Sequence, residues 1–255
     1  MTGSTEKGLT QLHKLREIHN DYVFSRMQKA SHSILFVFCL GIGTLFGQPV
    51  YSIKQGDPNG IGKWYMGRQI AQVMSHYGIS WLERPEREME ENTSLLLRNL
   101  NLREGMSVAD IGAGSGYHVS LMSPMVGKGK VYAVDIEPEM IRFLNNRIKQ
   151  EKLNNVITVL GNEKSVQLPS ASIDLMILVD VYHECAYPYE LAKSMLDALK
   201  PSGRLVLVEF RTEDPEVPIK AIHKMSEKQA IREMEAAGLS FIKNITNLPL
   251  SLIHI

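Results

Sequence analysis

Asp110-Ile111-Gly112-Ala113-Gly114-Ser115-Gly116-Tyr117 is the stretch whose residue types and spacing point most directly to chemistry. Glycines at alternate positions let a chain turn tightly at the end of a strand and let a ligand approach the backbone. They also leave the amides of a following helix facing that ligand. Such a turn is a bed for a nucleotide. The dinucleotide fingerprint G-x-G-x-x-G requires a glycine where Tyr117 stands, and the G-K-[ST] ending of a triphosphate loop is absent. The pattern present is acid-x-G-x-G-x-G, with Asp110 before the glycines. A second acid, Asp135, ends the next apolar run nineteen residues beyond Gly116, where a carboxylate can accept both hydroxyls of a ribose.

The elements that must hold these residues alternate in type. SVADIG (107–112), KVYAVDI (130–136), VITVLGN (156–162), IDLMILVDVY (173–182) and RLVLVEF (204–210) read as strands, and LSFIKNI and LSLIHI supply two more near the C-terminus. Helices are expected over 117–127, over 138–153 with Pro138 in the first turn, over 189–200, and over 226–238 behind a Ser226/Gln229 capping pattern. The nearly all-apolar fourth strand suits the centre of a parallel sheet covered on both faces. The fold class is therefore α/β, a three-layer sandwich with a mostly parallel sheet.

The rest of the chain divides by composition. With 28 Lys and Arg against 28 Asp and Glu in 255 residues, the net charge is zero, and no basic stripe with interleaved aromatics points to nucleic acid. Cys39 and Cys185 are too few for a disulfide framework. Residues 1–32 form a polar leader of net charge +2, and 33–53 hold an apolar segment with its flank, in which Ile34 to Gly47 is free of charge. Fourteen residues are short for a span of about 20 and suit a signal-peptide core, so a signal, a single N-terminal membrane anchor and a buried element all stay open. Residues 54–62, KQGDPNGIG, read as a linker, and 63–255 as the main domain. Apolar spacing over Trp64–Tyr77 predicts a helix that opens a helical lid over 63–102. The acidic run WLERPERE reads either as a solvated helix face or as part of that lid.

VADIGAGSG and YAVDIEPEM resemble the first and second motifs of class I S-adenosylmethionine-dependent methyltransferases, and the likeness runs from about Arg103 to about Gly238. MGRQIAQVM, WLERPERE and DVYHE are similar to a bacterial subgroup of generic methyltransferase domains, some with signal-like leaders. The resemblance implies a seven-stranded sheet of order 3-2-1-4-5-7-6, with strand 7 antiparallel, and S-adenosylmethionine as cosubstrate. It implies that Asp110, Gly112, Ala113, Gly114 and Gly116 form the bed of its methionine and ribose portion, that Asp135 binds the ribose diol and that Ile136 packs on the adenine. Asn162 or Glu163 would border the adenine edge, and Asp180 would sit near the methionine amino group.

Methyl transfer to a small-molecule acceptor requires alignment, exclusion of water and, for a protonated acceptor, removal of a proton. Ligands of open α/β sheets sit beyond the carboxyl ends of the strands, which puts Asp180-Val181-Tyr182-His183-Glu184 at the acceptor's side. His183 is either a general base or a hydrogen-bonded residue that fixes its loop, and Tyr182 and Tyr187 are candidates to shape the pocket. Glu209, Arg211, Lys220, His223 and Lys224 come next, and Tyr65, Met66 and Arg68 are candidates to close the site from the other side. His183, Glu184 and Glu209 are metal-ligand types without compact spacing, so no metal is expected. A nicotinamide-dependent oxidoreductase and an inactive cosubstrate-binding protein at the membrane are the competing readings. A signal-like leader points to export or inner-membrane attachment, whereas cosubstrate supply points to the cytoplasm.

Overall fold

The computed structural model describes residues 24–26, 51–249 and 252–254. The uncharged stretch Ile34–Gly47 lies outside the described residues. Among the described residues no helix is long and apolar enough to cross a membrane.

The expected single sheet of order 3-2-1-4-5-7-6 is overturned, because the described strands form two separate sheets. The larger holds nine strands. Its parallel centre consists of β5 (Ser107–Ile111), β6 (Lys130–Asp135), β7 (Val156–Leu160), β8 (Ile173–Val179) and β9 (Leu199–Arg211), lying in the order β9-β8-β5-β6-β7. Departure from the expected order begins beyond β9. There β1 (Phe24–Arg26) pairs antiparallel with both β9 and β11 (Leu239–Ser240), while β12 (Leu252–His254) runs antiparallel and β10 (Lys224–Met225) parallel to the far end of β9. The segment read as LSFIKNI is a strand for only two residues, and past it Ile242 is exposed while Ile245 is buried.

Alternation along the central strands builds two cores. Met176 and Leu178 of β8, with Leu205 and Leu207 of β9, pack with Leu191, Ala192 and Met195 of one helix (Pro188–Ala198) and with Ala230 and Met234 of another (Glu227–Ala236). Leu175, Ile177, Val206 and Val208 point the other way. They meet Leu96 and Leu100 of Thr93–Leu100, Val119 and Met122 of Tyr117–Val126, and Leu144 of Pro138–Glu151. Fully burying such a side chain contributes about 1.5–3 kcal/mol, so the sheet centre is rigid and its carboxyl ends are fixed in place. Ser226 caps the last helix by accepting from the Gln229 amide at 3.1 Å, as the capping pattern requires.

The second sheet is antiparallel and three-stranded: β2 (Tyr51–Ile53), β3 (Gly60–Tyr65) and β4 (Arg68–Ala71). It replaces the helix expected over Trp64–Tyr77, so the cover over 63–102 is only partly helical. Met66 and Gly67 take positive φ of 48° and 91° between the paired residues Tyr65 and Arg68. Two central residues with positive φ make the type I′ hairpin turn whose twist matches that of the strands. The apolar residues spaced three and four apart are met equally well by this hairpin, because Tyr65, Ile70 and Ala71 are the buried ones. Residues 54–59 of the expected linker connect β2 to β3, with Gln69 bridging the loop through the Asp57 amide (2.7 Å) and carbonyl (3.0 Å).

Candidate active site

The carboxyl ends of β5, β6, β7 and β8 open into one cavity of about 430 Å³, inside the range of roughly 300–1,000 Å³ typical of small-molecule sites. Of the residues singled out in the sequence, Asp110, Gly112, Ala113, Gly114, Asp135, Ile136, Asn162, Glu163, Asp180 and His183 line it, as do Lys220 and His223. Gly116 and Tyr182 do not. Gly116, with φ of 82°, is the N-cap of the helix behind the turn, and a Cβ there would come 2.6 Å from Leu144. Tyr182 is wholly buried beneath the site, with the Arg68 guanidinium 5.7 Å from its ring, so the sequence-based placement of Tyr182 at the acceptor is corrected.

The turn itself is shaped to leave room. Gly112 has φ of 73° and a Cβ on it would meet Val181 Cγ1 at 2.6 Å; Gly114 has φ of 53° and would meet Leu82 Cδ1 at 2.9 Å. Both positions need glycine. The Gly112 and Ala113 amides donate to the Val134 carbonyl (2.9 and 3.0 Å), which ties the turn to β6. Asp135 accepts the Gly114 amide on Oδ2 and the Glu137 amide on Oδ1, each at 2.9 Å. A carboxylate has about four acceptor sites, so this bracing leaves capacity for a ligand. Burial raises the Asp135 pKa, and these backbone donors oppose the rise.

Two further acids at the cavity wall carry buried oxygens without hydrogen-bond partners. Asp110 is 3% accessible, and its Oδ2 has no hydrogen-bond partner. Burial pushes its pKa up to about 7, against the pull of Arg87 and with a further push from Asp135. Asp180 adopts the left-handed region (φ 57°) just past the end of β8, a conformation that Asp tolerates better than most residues. Its Oδ1 likewise lacks a hydrogen-bond partner, with His183 Nδ1 at 3.8 Å, and burial pushes it up to about 7.

A roof crosses this side of the cavity: Val73, Met74, Trp81, Leu82, Arg84, Arg87 and Glu91. The acidic run is thus both a solvated face and a cavity wall: Glu83, Glu86 and Glu88 are exposed to solvent, while Leu82, Arg84, Arg87 and Glu91 line the cavity. Arg87 and Glu91 are 5% and 9% accessible and pair at 2.7 Å, Arg84 binds Glu91 and Glu90 at 2.7 Å each, and Arg87 lies 4.4 Å from the centre of the Tyr117 ring. Glu83 ties the roof down through the Ser115 hydroxyl and through Arg147 at 2.6 Å. The Met74 amide donates to Glu184 at 3.1 Å, and His76 pairs with Glu137. Tyr65, Met66 and Arg68 lie away from the cavity. Arg68 instead forms a bidentate pair with the fully buried Glu233 (2.9 and 3.0 Å) and donates to the His183 carbonyl at 2.9 Å.

At the β8–β9 end, His183 is 1% accessible, with Nδ1 2.7 Å from Glu209 Oε2 and Nε2 3.0 Å from His223 Nδ1. Glu209 uses its other oxygen to accept the Tyr182 amide at 2.8 Å. Burial alone would lower the His183 pKa, but Glu209, Asp180 and Glu184 outweigh it and raise it to about 9. Burial and the neighbouring His183 lower that of His223. His183 is therefore charged at neutral pH and donates from both ring nitrogens, with neutral His223 as acceptor. The sequence singled out His183, Glu209 and His223 separately; what it did not show is that a loop more than ten residues long brings His223 onto His183. Arg87, within the run read as a possible lid, lines the cavity, and so does His118, which the sequence does not mark because a histidine on a helix carries no site signal of its own.

A family model described as "Methyltransferase domain" matches residues 102–246. The chain belongs to this family. It is a class I S-adenosylmethionine-dependent methyltransferase domain, which assigns both the enzyme class and the cosubstrate. Among solved structures it is similar to a SAM-dependent methyltransferase from Aquifex aeolicus, with a TM-score of 0.67 and 25% identity, over 71% of this chain and 97% of that one. Among curated proteins it is 29% identical over 114 residues to the protein-L-isoaspartate O-methyltransferase of Pyrococcus horikoshii, covering 45% of this chain and 49% of that protein. It is 32% identical over 115 residues to that of Methanosarcina mazei, covering 45% of each. The methyltransferase domain thus spans about half the length of the curated relatives it matches. Its cavity fits the family's cosubstrate on its own evidence: a glycine cradle that a Cβ would fill, and two buried carboxylate oxygens without partners, suited to a ligand with cationic ammonium and sulfonium groups.

Proposed function

We propose that this methyltransferase transfers a methyl group to a small-molecule acceptor bound between the glycine turn and the His183–His223 pair. When bound, S-adenosylmethionine supplies an electrophilic methyl carbon on a sulfonium. The chain's own groups do the rest. Asp135 accepts the ribose diol while backbone amides hold its orientation. Ile136, half-exposed at the cavity wall, gives the adenine an apolar surface, and Asn162 and Glu163 border its edge. Asp110 and Asp180 bring carboxylates toward the cationic portion, and that cation in turn favours their ionised forms. The roof from Val73 to Glu91 excludes water, which strengthens these interactions. At the acceptor's end His183, Glu184 and His223 receive the acceptor's heteroatom, with Glu209 orienting the His183 ring. Tyr182, buried below, positions this loop and does not touch the acceptor.

The single observation that carries this reading is the continuity of the cavity, which joins the nucleotide-type turn to the histidine pair under one roof. A Walker-type or nicotinamide reading has no comparable support. Transfer of labelled methyl from S-adenosylmethionine to a panel of small hydroxyl, thiol and amine compounds tests it, with isoaspartyl peptides included because the curated relatives bear that name. Label on a small molecule is the expected result. Label on peptides alone, or tight S-adenosylhomocysteine binding with no transfer to any acceptor, would overturn it.

A further inference from the structure

His183, Glu184 and His223 come from two separate connections, yet their ligand atoms converge. His183 Nε2 lies 3.0 Å from His223 Nδ1 and 3.7 Å from Glu184 Oε1, and His223 Nδ1 lies 3.9 Å from that same oxygen. Nitrogen and oxygen ligands at about 2.0–2.2 Å in a tetrahedron around zinc are separated by ~3.3–3.6 Å. The observed triangle brackets that spacing and needs shifts of only a few tenths of an ångström. We propose that these three residues form a divalent metal site, zinc by its ligand types, in which the ion displaces to solvent the proton that His183 Nε2 otherwise carries and whose fourth position opens into the methyltransferase cavity.

Three features support the site. First, the outer shell is already built. Glu209 engages His183 Nδ1 at 2.7 Å, fixing the ring so that Nε2 faces the other two ligands, and Glu209 is itself 1% accessible and braced by the Tyr182 amide. A carboxylate behind a ligating histidine is the usual partner in zinc sites. Second, with Nδ1 hydrogen-bonded to Glu209, Nε2 is the His183 nitrogen that faces outside ligands, which favours this trio over the neighbouring Asp180, His183 and Glu209. Third, all three ligand residues line the cavity, so a two-histidine, one-carboxylate set leaves a coordination position for an outside group, as catalytic zinc sites do. The backbone is held to match: Arg68 pins the His183 carbonyl at 2.9 Å, and the Glu184 and His223 amides close 3.0 and 2.9 Å turns onto Val181 and Lys220.

The site narrows the acceptor class. A divalent ion in that position lowers the pKa of a coordinated hydroxyl or thiol. The acceptor would then bind as an alkoxide, phenolate or thiolate, its proton passing to solvent and its lone pairs remaining on the oxygen or sulfur that takes the methyl. This part rests on the function proposed above; the metal site itself does not.

Titration of zinc chloride into the metal-stripped full-length chain by calorimetry, with cobalt(II) absorption as a second readout, tests the site. One zinc per chain is expected, with the visible spectrum of four-coordinate cobalt. His223→Ala and Glu184→Gln should each weaken zinc at least about a hundredfold, and Glu209→Gln by roughly 10–100-fold. Circular dichroism melts check that each variant is folded. Asp135→Ala should bind zinc unchanged while losing S-adenosylhomocysteine, so the two proposals fail separately: loss of zinc binding leaves the nucleotide site intact, and the reverse. Absence of stoichiometric zinc in the unmodified chain, or zinc affinity unaltered in both His223→Ala and Glu184→Gln, would overturn the proposal.

Discussion

At the β5–β6 end of the cavity, Asp110, Gly112, Gly114 and Asp135 come from one strand–turn–helix–strand unit, and most of what they do is done by backbone. At the β8–β9 end, His183, Glu184, Glu209 and His223 come from two different strand ends and a long connection, and side chains do the work. The first arrangement needs only local chain geometry. The second exists only when β8 and β9 are in register and the small antiparallel sheet holds the loop from outside. A local unit can be read directly from residue spacing, and it can serve many acceptors unchanged. In the function proposed above, the assembled one is where the acceptor is selected.

Breaking the outside support should have the largest effect. Arg68→Ala leaves the fully buried Glu233 without its charged partner and with the Gln229 amide still donating to it, which costs about 3–5 kcal/mol for a broken buried pair. Urea unfolding should show that loss, and an Arg68→Met, Glu233→Leu double variant should recover much of it. Equal stability of Arg68→Ala and the parent would refute the link. Next, Gly112→Ala adds both positive-φ strain, of order 1–3 kcal/mol, and a 2.6 Å clash with Val181. Gly105→Ala, at φ of 86° with nothing within 4 Å, adds strain alone. Thermal melts should rank Gly112→Ala well below Gly105→Ala, and only the former should lose S-adenosylhomocysteine affinity.

That ranking also explains what was legible in the sequence. The glycine turn, Asp135 and the five central strands were readable because each follows from local rules of turn geometry and apolar runs. The Trp64–Tyr77 hairpin was not, because apolar residues three and four apart satisfy a hairpin as well as a helix once Met66 and Gly67 turn the chain. The strand order past β9 was not legible either, since β1 from the leader enters between β9 and β11, a pairing across most of the chain. The meeting of His183 with His223 depends on that same long-range arrangement. Tyr182 was misplaced because a 3-10 turn at 182–184 sends its ring inward while His183 reaches the cavity.

Smaller effects sharpen the contrast further. Asp110 has a folded-state pKa of about 7 against an ordinary value near 3.8, so the folded chain binds that proton more tightly than the unfolded one. Its contribution to stability is then greatest at low pH and is lost as pH rises from about 4 through about 7. Urea midpoints for Asp110→Asn should fall less steeply than the parent's over that window; identical slopes would contradict the assignment. Tyr182→Phe should be the mildest change, leaving S-adenosylhomocysteine affinity and turnover within about twofold. A large loss of turnover would return the hydroxyl to the chemistry.

The separation of the two ends is tested most directly by titrating S-adenosylhomocysteine calorimetrically into the parent, Asp135→Ala and His223→Ala chains. A charge-assisted hydrogen bond is worth roughly 1.5–3 kcal/mol, so Asp135→Ala should weaken binding at least about tenfold, while His223→Ala stays within about twofold of the parent. Unchanged affinity in Asp135→Ala, or an equal loss in both variants, would contradict it.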